Sequence, residues 1–271
     1  MMGATLASRS LPTIGDMPHQ ELPACVRVSL WATAVLGGRL PAPDLPRRAL
    51  PDIDECLGLV ETVRVWADLG ERTVLVALPR PGDLTGMPQG PAELAAHASR
   101  AEECVFVPGV GGALVPDLEV FGPVGDEGWL SRWTRYDAQP VATHRIEALD
   151  LGQTELALRQ ELAVLTEELG RAGAPPFGAV AERGAAGARA AAGGALLWGL
   201  PEGLPGRALR VLQLAGTVLS LADAGLGTAT ASVDASSVSR RSEVLRRLQT
   251  SASRALSDAA NAAALHLAYR S

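Results

Sequence analysis

The stretch VLVALPRPGDLTGMPQGP, residues 74–91, joins a short apolar run to a loop rich in proline and glycine. The apolar run is typical of a fully buried strand, which we predict over residues 73–78. The preceding segment, residues 52–69, predicts an amphipathic helix capped by Asp52, with Glu55 three residues further on. A helix that leads directly into a buried strand indicates helices layered on a sheet around one core.

The rest of the N-terminal half predicts more helices and a meander. Helices are expected from residue 23 to about 37 and, Ala-rich, over residues 91–100. Between 103 and about 147, short extended runs are broken by Gly and Pro turns that are too short for crossover helices, which indicates an antiparallel meander. The alternative is a parallel pairing of the two strands that helix 91–100 links.

The C-terminal half predicts three helices, over residues 151–169, 207–224 and from Ser237 or Ser239 to Tyr269. Small residues along the last helix indicate a packing surface, against helix 207–224 or against a second copy of the chain. The fold class is therefore α+β, with an N-terminal mixed or antiparallel sheet and flanking helices, followed by a helical C-terminal region. We divide the chain into a disordered tail (1–22), an α+β domain (23–148), a helix (149–172), a flexible Gly/Ala/Pro linker (173–206) and a helical hairpin region (207–271).

The composition excludes several chemistries. The chain has no lysine, so all 24 positive charges are arginine, and it has a single asparagine, Asn261. Schiff-base and phosphate-loop lysines are therefore excluded. The net charge of -6 disfavours nucleic acid. Three scattered cysteines without a CxxC pair indicate a reducing compartment. The sequence has neither a signal-peptide pattern nor a long apolar span, so we expect a cytoplasmic protein with no membrane association.

Two segments are candidates for a binding site. The loop after strand 73–78 carries Arg80, which could fix an anion, and Asp83, which could accept a proton. The turn PGVGGALVP, residues 108–116, lacks the third glycine of a dinucleotide-binding motif and has a proline where the helix must start, so we predict a hairpin turn. One hypothesis gathers a ligand at Arg80, Asp83, Gly109, Gly111 and Gly112. The alternative makes the first loop a proline-stiffened connector.

Other motifs favour structural interpretations. The four histidines form no HxH or HxxxH pair, so no metal site is predicted. A nucleophile built from His97 and Cys104 lacks a third, orienting group, which favours a satisfied or surface histidine. Cys56 is interpreted as a packed thiol. Arg240, Arg247 and Arg254 share a helix face that we interpret as solvated, with docking to an acidic partner as the alternative.

Three blocks carry a resemblance to a known group of proteins: WADLGERTVLVALPRPGDLTGMP, RALRVLQLAGTVLSLADAGL and RRLQTSASRALSDAANAAAL. They resemble a conserved family of high-GC Gram-positive, actinobacterial genomes that has no assigned function. The resemblance covers most of residues 20–268. It implies a bacterial, cytoplasmic protein and no activity, cofactor or catalytic residue.

The leading hypothesis is a non-catalytic regulatory or protein-interaction protein, because no catalytic set, metal site or cofactor motif is predicted. Its partner would be a second copy or another protein, bound through the C-terminal helices. The alternative is a small-molecule-binding protein or enzyme with its site at the loop after strand 73–78. A minor alternative is association with DNA through the last helix.

Overall fold

A computed structural model describes residues 22–123, 126–171, 199–227 and 235–269. The helices are α1 (Ala24–Leu36), α2 (Leu45–Ala49), α3 (Leu59–Asp68), α4 (Ala92–Ala101), α5 (His144–Glu147), α6 (Leu151–Arg171), α7 (Gly206–Gly227) and α8 (Ala235–Tyr269). The strands are β1 (Glu55–Leu57), β2 (Leu75–Ala77), β3 (Cys104–Phe106), β4 (Ala113–Phe121) and β5 (Gly128–Tyr136). The predicted tail (1–22, except its last residue) and most of the predicted linker lie outside the described residues.

The strands form one mixed sheet in the order β1-β5-β4-β3-β2, which confirms the α+β class. β3, β4 and β5 are consecutive antiparallel neighbours, as the meander prediction required. β2 and β3, which α4 links, are also antiparallel. The parallel pair is instead β1 with β5, at the opposite edge of the sheet.

The predicted helix over residues 52–69 is wrong in its first half. Residues 55–57 form the edge strand β1, and the helix begins only at Leu59. Gly58 makes the turn between them with φ 85°, and a side chain there would collide with the Trp133 carbonyl. The aspartate that binds a backbone group here is Asp54 and not the predicted cap, Asp52. Asp54 Oδ2 accepts the backbone N–H of Trp129 at 2.8 Å. Pairing with β5 therefore overrides the helical spacing.

The meander predicted between 103 and about 147 is also wrong in its last segment, VATHRIEAL (residues 141–149), because part of it forms α5. The carbonyl of Thr143 accepts the backbone N–H groups of Ile146 and Glu147. Thr143 Oγ1 also donates to Glu147 Oε1 at 2.9 Å. These local bonds close one helical turn beyond the end of the sheet.

The C-terminal helices pack on the sheet and on each other. α8 contacts α7, α6, α1 and β2. Its second half is lined by alanines such as Ala252, Ala259 and Ala263, which are fully buried and let the neighbouring elements approach closely. α7 is the one described helix that is long and apolar enough to span a membrane, a criterion that core helices also meet. Its residues Val211 and Leu212 are fully buried within the protein.

The chain's single asparagine closes the outer edge of the sheet. Asn261 on α8 accepts the backbone N–H of Val76 with its Oδ1 at 2.7 Å, and its Nδ2 donates to the Val76 carbonyl at 2.9 Å. One side-chain amide thus replaces a neighbouring strand beside β2. An edge whose backbone groups are paired in this way is not available for pairing with another chain.

Candidate functional site

Arg80, the first predicted binding residue, lies just beyond the end of β2 and is buried, with 6% of its surface exposed. Its Nε donates to Ser253 Oγ on α8 at 2.8 Å, and its Nη1 forms an ion pair with the Glu102 carboxylate at the end of α4. Burial raises the pKa of Glu102, and Arg80 opposes that rise. Arg80 therefore links α4 and α8 to the edge of the sheet. The N–H groups that make these contacts are the donors that an anionic ligand would have to bind.

Asp83, the second predicted residue, is held in the same turn. The backbones of Arg80 and Asp83 exchange two hydrogen bonds, at 2.9 and 2.8 Å. Asp83 Oδ2 accepts from Arg254 Nε at 2.9 Å, and Oδ1 accepts from the backbone and hydroxyl of Thr85. The Arg254 hydrogen bond, followed by those of Thr85, lowers the pKa of Asp83. The loop is thus fastened to α8, which favours the connector interpretation.

The predicted glycines lie at the other end of the sheet. Because β2 and β3 are antiparallel with Ala77 opposite Cys104, the Arg80 loop lies beside the start of β3, and Gly109, Gly111 and Gly112 follow its end. They form the hairpin turn between β3 and β4, held by the Val110 N–H, which donates to the Glu71 carboxylate. The structure therefore brings Arg80 and Asp83 together and places the three glycines at the opposite end of β3 from them.

Gly111 is required by the local geometry of that turn. Its φ of 79° is in the left-handed region, and a Cβ there would collide with the carbonyl oxygen of Ala138. Gly109 likewise lies against the Glu71 carboxylate. These glycines therefore permit close backbone packing, which is a sufficient reason for the glycine-rich sequence.

A hydrogen-bonded chain of three side chains lies between α4 and the sheet. His97 is buried; its Nε2 lies 2.8 Å from Asp117 Oδ1, and its Nδ1 lies 2.8 Å from the Tyr136 hydroxyl. A carboxylate only accepts, so the neutral imidazole satisfies both contacts when Nε2 carries the ring proton and the Tyr136 hydroxyl donates to Nδ1. His97 is therefore the satisfied histidine that the sequence favours. Cys104 is not its partner, since the thiol is fully buried and burial raises its pKa.

No local sequence pattern indicates these hydrogen bonds, because Asp117 and Tyr136 are 20 and 39 residues from His97. The register places them together: Tyr136 is opposite Ala113, and Asp117 is four residues further along β4 on the same face. Alternation along β4 and β5 predicts which residues share a face of the sheet. It does not predict which residues of the two strands lie opposite each other, and that register is what brings Asp117 and Tyr136 to His97. The connectivity of carboxylate, imidazole and hydroxyl is that of a catalytic triad, with tyrosine in the place of serine.

The arginine stripe of α8 is partly used inside the chain. Arg247 Nη1 lies 2.9 Å from Glu168 Oε2 on α6, and Arg254 binds Asp83 as described. A shallow, open groove of about 330 Å³ separates α6 from α8 beside these residues. Ser251 Oγ donates to Glu161 Oε2 across it at 2.7 Å. Two of the three arginines therefore fasten neighbouring segments to α8.

The outward side of α6 is apolar, and we call it the α6 strip. Its members are exposed and share one side of the helix: Leu156, Ala157, Gln160, Ala163 and Val164. Leu156 is 48% and Val164 52% exposed, although the opposite side of α6 buries Leu158 and Leu165 in the core. No member of the strip carries a charge. Two exposed charges adjoin the strip. Arg159 lies on its flank and is paired with Glu155 at 2.8 Å, and Glu167 lies on the same side of the helix, three residues beyond Val164.

Comparison with known proteins finds two domain models that match consecutive parts of the chain. A model of the N-terminal domain of Rv1486c-like proteins matches residues 25–148, and a model of their C-terminal domain matches residues 152–257. Neither a curated protein nor a solved structure gave a significant match. The two domain descriptions fit the resemblance to a conserved actinobacterial family and name no activity. Both domain models match in chain order and together cover most of the chain, so the chain is similar to Rv1486c-like proteins in two consecutive domains.

Proposed function

We propose that the protein is a non-catalytic, cytoplasmic interaction protein that binds a partner through the α6 strip. The observation that carries this proposal is the exposure of Leu156 and Val164 on the uncharged side of a helix whose other side is already buried. A surface helix needs one apolar face to pack on its own core. α6 has two, and the second covers nothing in the described part of the chain.

The strip differs from the scattered apolar residues of an ordinary surface. Single exposed leucines are common and need no explanation. Leu156 and Val164 are eight residues apart, which places them about 12 Å apart along the helix with only alanine and glutamine between them on that side. A continuous uncharged line of this kind is typical of helix-to-helix contacts between proteins.

The polar residues predicted to bind a ligand support the proposal indirectly, because other side chains of the protein already bind them. Arg80 is bound to Glu102 and Ser253, and Asp83 to Arg254, so these groups contribute to assembly of the fold. Three cysteines are free, and Cys25 and Cys104 among them are buried. Free thiols of this kind are compatible with the reducing cytoplasm that the proposal includes.

The test is site-specific photo-crosslinking in the producing bacterium. A photoreactive amino acid placed at Leu156 or Val164 is expected to give a crosslinked protein adduct. The matched control is Leu69, which is 55% exposed at the end of α3 and lies outside the strip. Adducts that are absent at both strip positions, or equally abundant at Leu69, would refute the proposal.

A second candidate is a small-molecule-binding protein or enzyme centred on Tyr136. The observation that favours it is the chain from Asp117 through His97 to the Tyr136 hydroxyl, with both contacts at 2.8 Å. The imidazole can take the phenolic proton, and Asp117 stabilises the resulting imidazolium. The Tyr136 oxygen would then attack the carbonyl carbon of an activated ester and form the new acyl–oxygen bond. The bond to the ester's own oxygen would break, and that oxygen would leave as the alcohol with the proton from the imidazolium.

The chain offers a matched control for this candidate, since it has only two tyrosines. Incubation with p-nitrophenyl acetate is expected to acetylate Tyr136, as located by peptide mass spectrometry, and Tyr136→Phe should abolish the nitrophenolate burst. Tyr269→Phe, at the exposed end of α8, should leave the burst intact. Equal acetylation of the two tyrosines would dismiss the candidate.

A further inference from the structure

We infer that the partner on the α6 strip is a second copy of this chain, packed antiparallel about a two-fold axis at Gln160. The inference rests on the proposed function, because it names the occupant of the same surface. It is carried by the arrangement of large and small side chains in the strip, which is complementary to itself in that orientation.

The strip is symmetric in sequence about Gln160. Leu156 and Val164 lie four residues before and after it, and Ala157 and Ala163 lie three before and after it. At about 100° per residue, Leu156 and Ala163 lie on one side of the line through Gln160, and Ala157 and Val164 lie on the other.

A two-fold axis across two antiparallel helices brings each side of one helix against the same side of the other. Leu156 then faces the partner's Ala163, and Val164 faces the partner's Ala157. Each large side chain meets a small one at about the same height along the helix. Alternation of large and small residues across a contact is what close packing of two helices requires.

Charge limits how a second copy can bind. Each chain carries a net charge of -6, so two copies repel each other over most of their surfaces. The strip adds nothing to this repulsion, because none of its side chains is charged. At its centre Gln160 faces the partner's Gln160, and two amides can both donate and accept across the axis. A strongly acidic or basic partner would find no complementary charge there.

The small size of the strip limits the expected affinity of the dimer. Five side chains on one helix cover less than the roughly 1,200 Å² of stable protein complexes. We therefore expect a weak dimer, with a Kd on the order of 10–100 µM, that forms and separates rapidly.

The test uses cysteine pairs in the purified full chain. A cysteine at position 160 lies on the axis, so Gln160→Cys is expected to give a disulfide-linked dimer under mild oxidation. Gln153→Cys is the matched control. In the antiparallel arrangement its two copies are about 21 Å apart, well beyond the reach of a disulfide. Adding Leu156→Glu to Gln160→Cys should reduce the dimer yield at least tenfold.

Two results would overturn the inference. One is an absence of disulfide dimer for Gln160→Cys at protein concentrations up to several times the expected Kd. The other is equal dimer yield for Gln153→Cys, since that is the signature of a parallel pairing. If the disulfide dimer is absent while the photo-crosslinks at Leu156 persist, the partner is a different protein, and the proposed function stands without this inference.

Discussion

Replacing Asn261 by leucine removes the two hydrogen bonds that close the edge of β2. Leucine has the same branching and number of side-chain heavy atoms and is tolerated by a helix, so α8 should keep its place while the N–H and carbonyl of Val76 lose their partners. Both groups belong to a fully buried residue. A buried backbone group without a partner costs about 1–3 kcal/mol, so the loss of both partners should lower the free energy of unfolding by about 2–6 kcal/mol. That is a large part of the roughly 5–15 kcal/mol typical of a folded protein.

Urea unfolding followed by circular dichroism measures this loss directly. Gln249→Leu is the matched control, because it removes an amide from the same helix. That amide makes an exposed hydrogen bond, from Nε2 to Asp223 Oδ1 at 2.7 Å, so its loss should cost less than about 1 kcal/mol. If Asn261→Leu is no more destabilising than Gln249→Leu, the two bonds between Asn261 and Val76 do not stabilise the edge of β2 as proposed.

Three further substitutions test other contacts. Arg80→Met leaves Glu102 half-buried without its cation and should cost about 2–3 kcal/mol at pH 7. Since burial already raises the pKa of Glu102, its charged form opposes folding as the pH rises, so the loss should be smaller at pH 4 than at pH 7 in urea titrations. Tyr136→Phe leaves a buried imidazole nitrogen without its donor and should cost about 1–2 kcal/mol, whereas Tyr269→Phe should not change the melting temperature. Gly111→Ala combines a left-handed φ with a backbone collision and should lower the unfolding free energy by at least about 2 kcal/mol; a neutral result would contradict the geometry of the turn.

Long periodic segments could be predicted from the sequence, since many residues contribute to the same signal. α6, α7 and α8 fall where the spacing of Leu and Ala placed them, and the meander of β3, β4 and β5 follows from alternation and turn residues. β1 was missed because its three residues lack the apolar run that marks β2, and their pairing with β5 is a contact that no local pattern encodes. α5 was missed because its four residues are too few to show a helical period.

The candidate site was predictable only in part. Arg80 and Asp83 stand out because they follow a buried strand in a loop. Their partners, Ser253 and Arg254, are 173 and 171 residues away in sequence, so the sequence could not reveal that both groups are already bound. The chain through His97 escaped prediction for the same reason. Spatial contacts between distant segments decide whether a polar residue is free to bind a ligand.

The α6 strip itself was concealed by a stronger pattern on the same helix. The heptad-like leucines that the sequence displays include Leu158 and Leu165, and these face the core. Leu156 and Val164 become conspicuous only once that face is known to be occupied. The sequence therefore indicated a helix that packs on the core of the protein. The three-dimensional arrangement shows which side of that helix stays exposed.

The most direct test of the α6 strip is the accessibility of a thiol placed within it. Ala163→Cys should react rapidly with a maleimide in dilute purified protein and at least several-fold more slowly inside intact cells, where a partner covers the strip. Leu69→Cys should react at the same relative rate in both settings. Equal labelling of Cys at position 163 in cells and in dilute solution, relative to that control, would contradict the assignment of this surface to protein interaction.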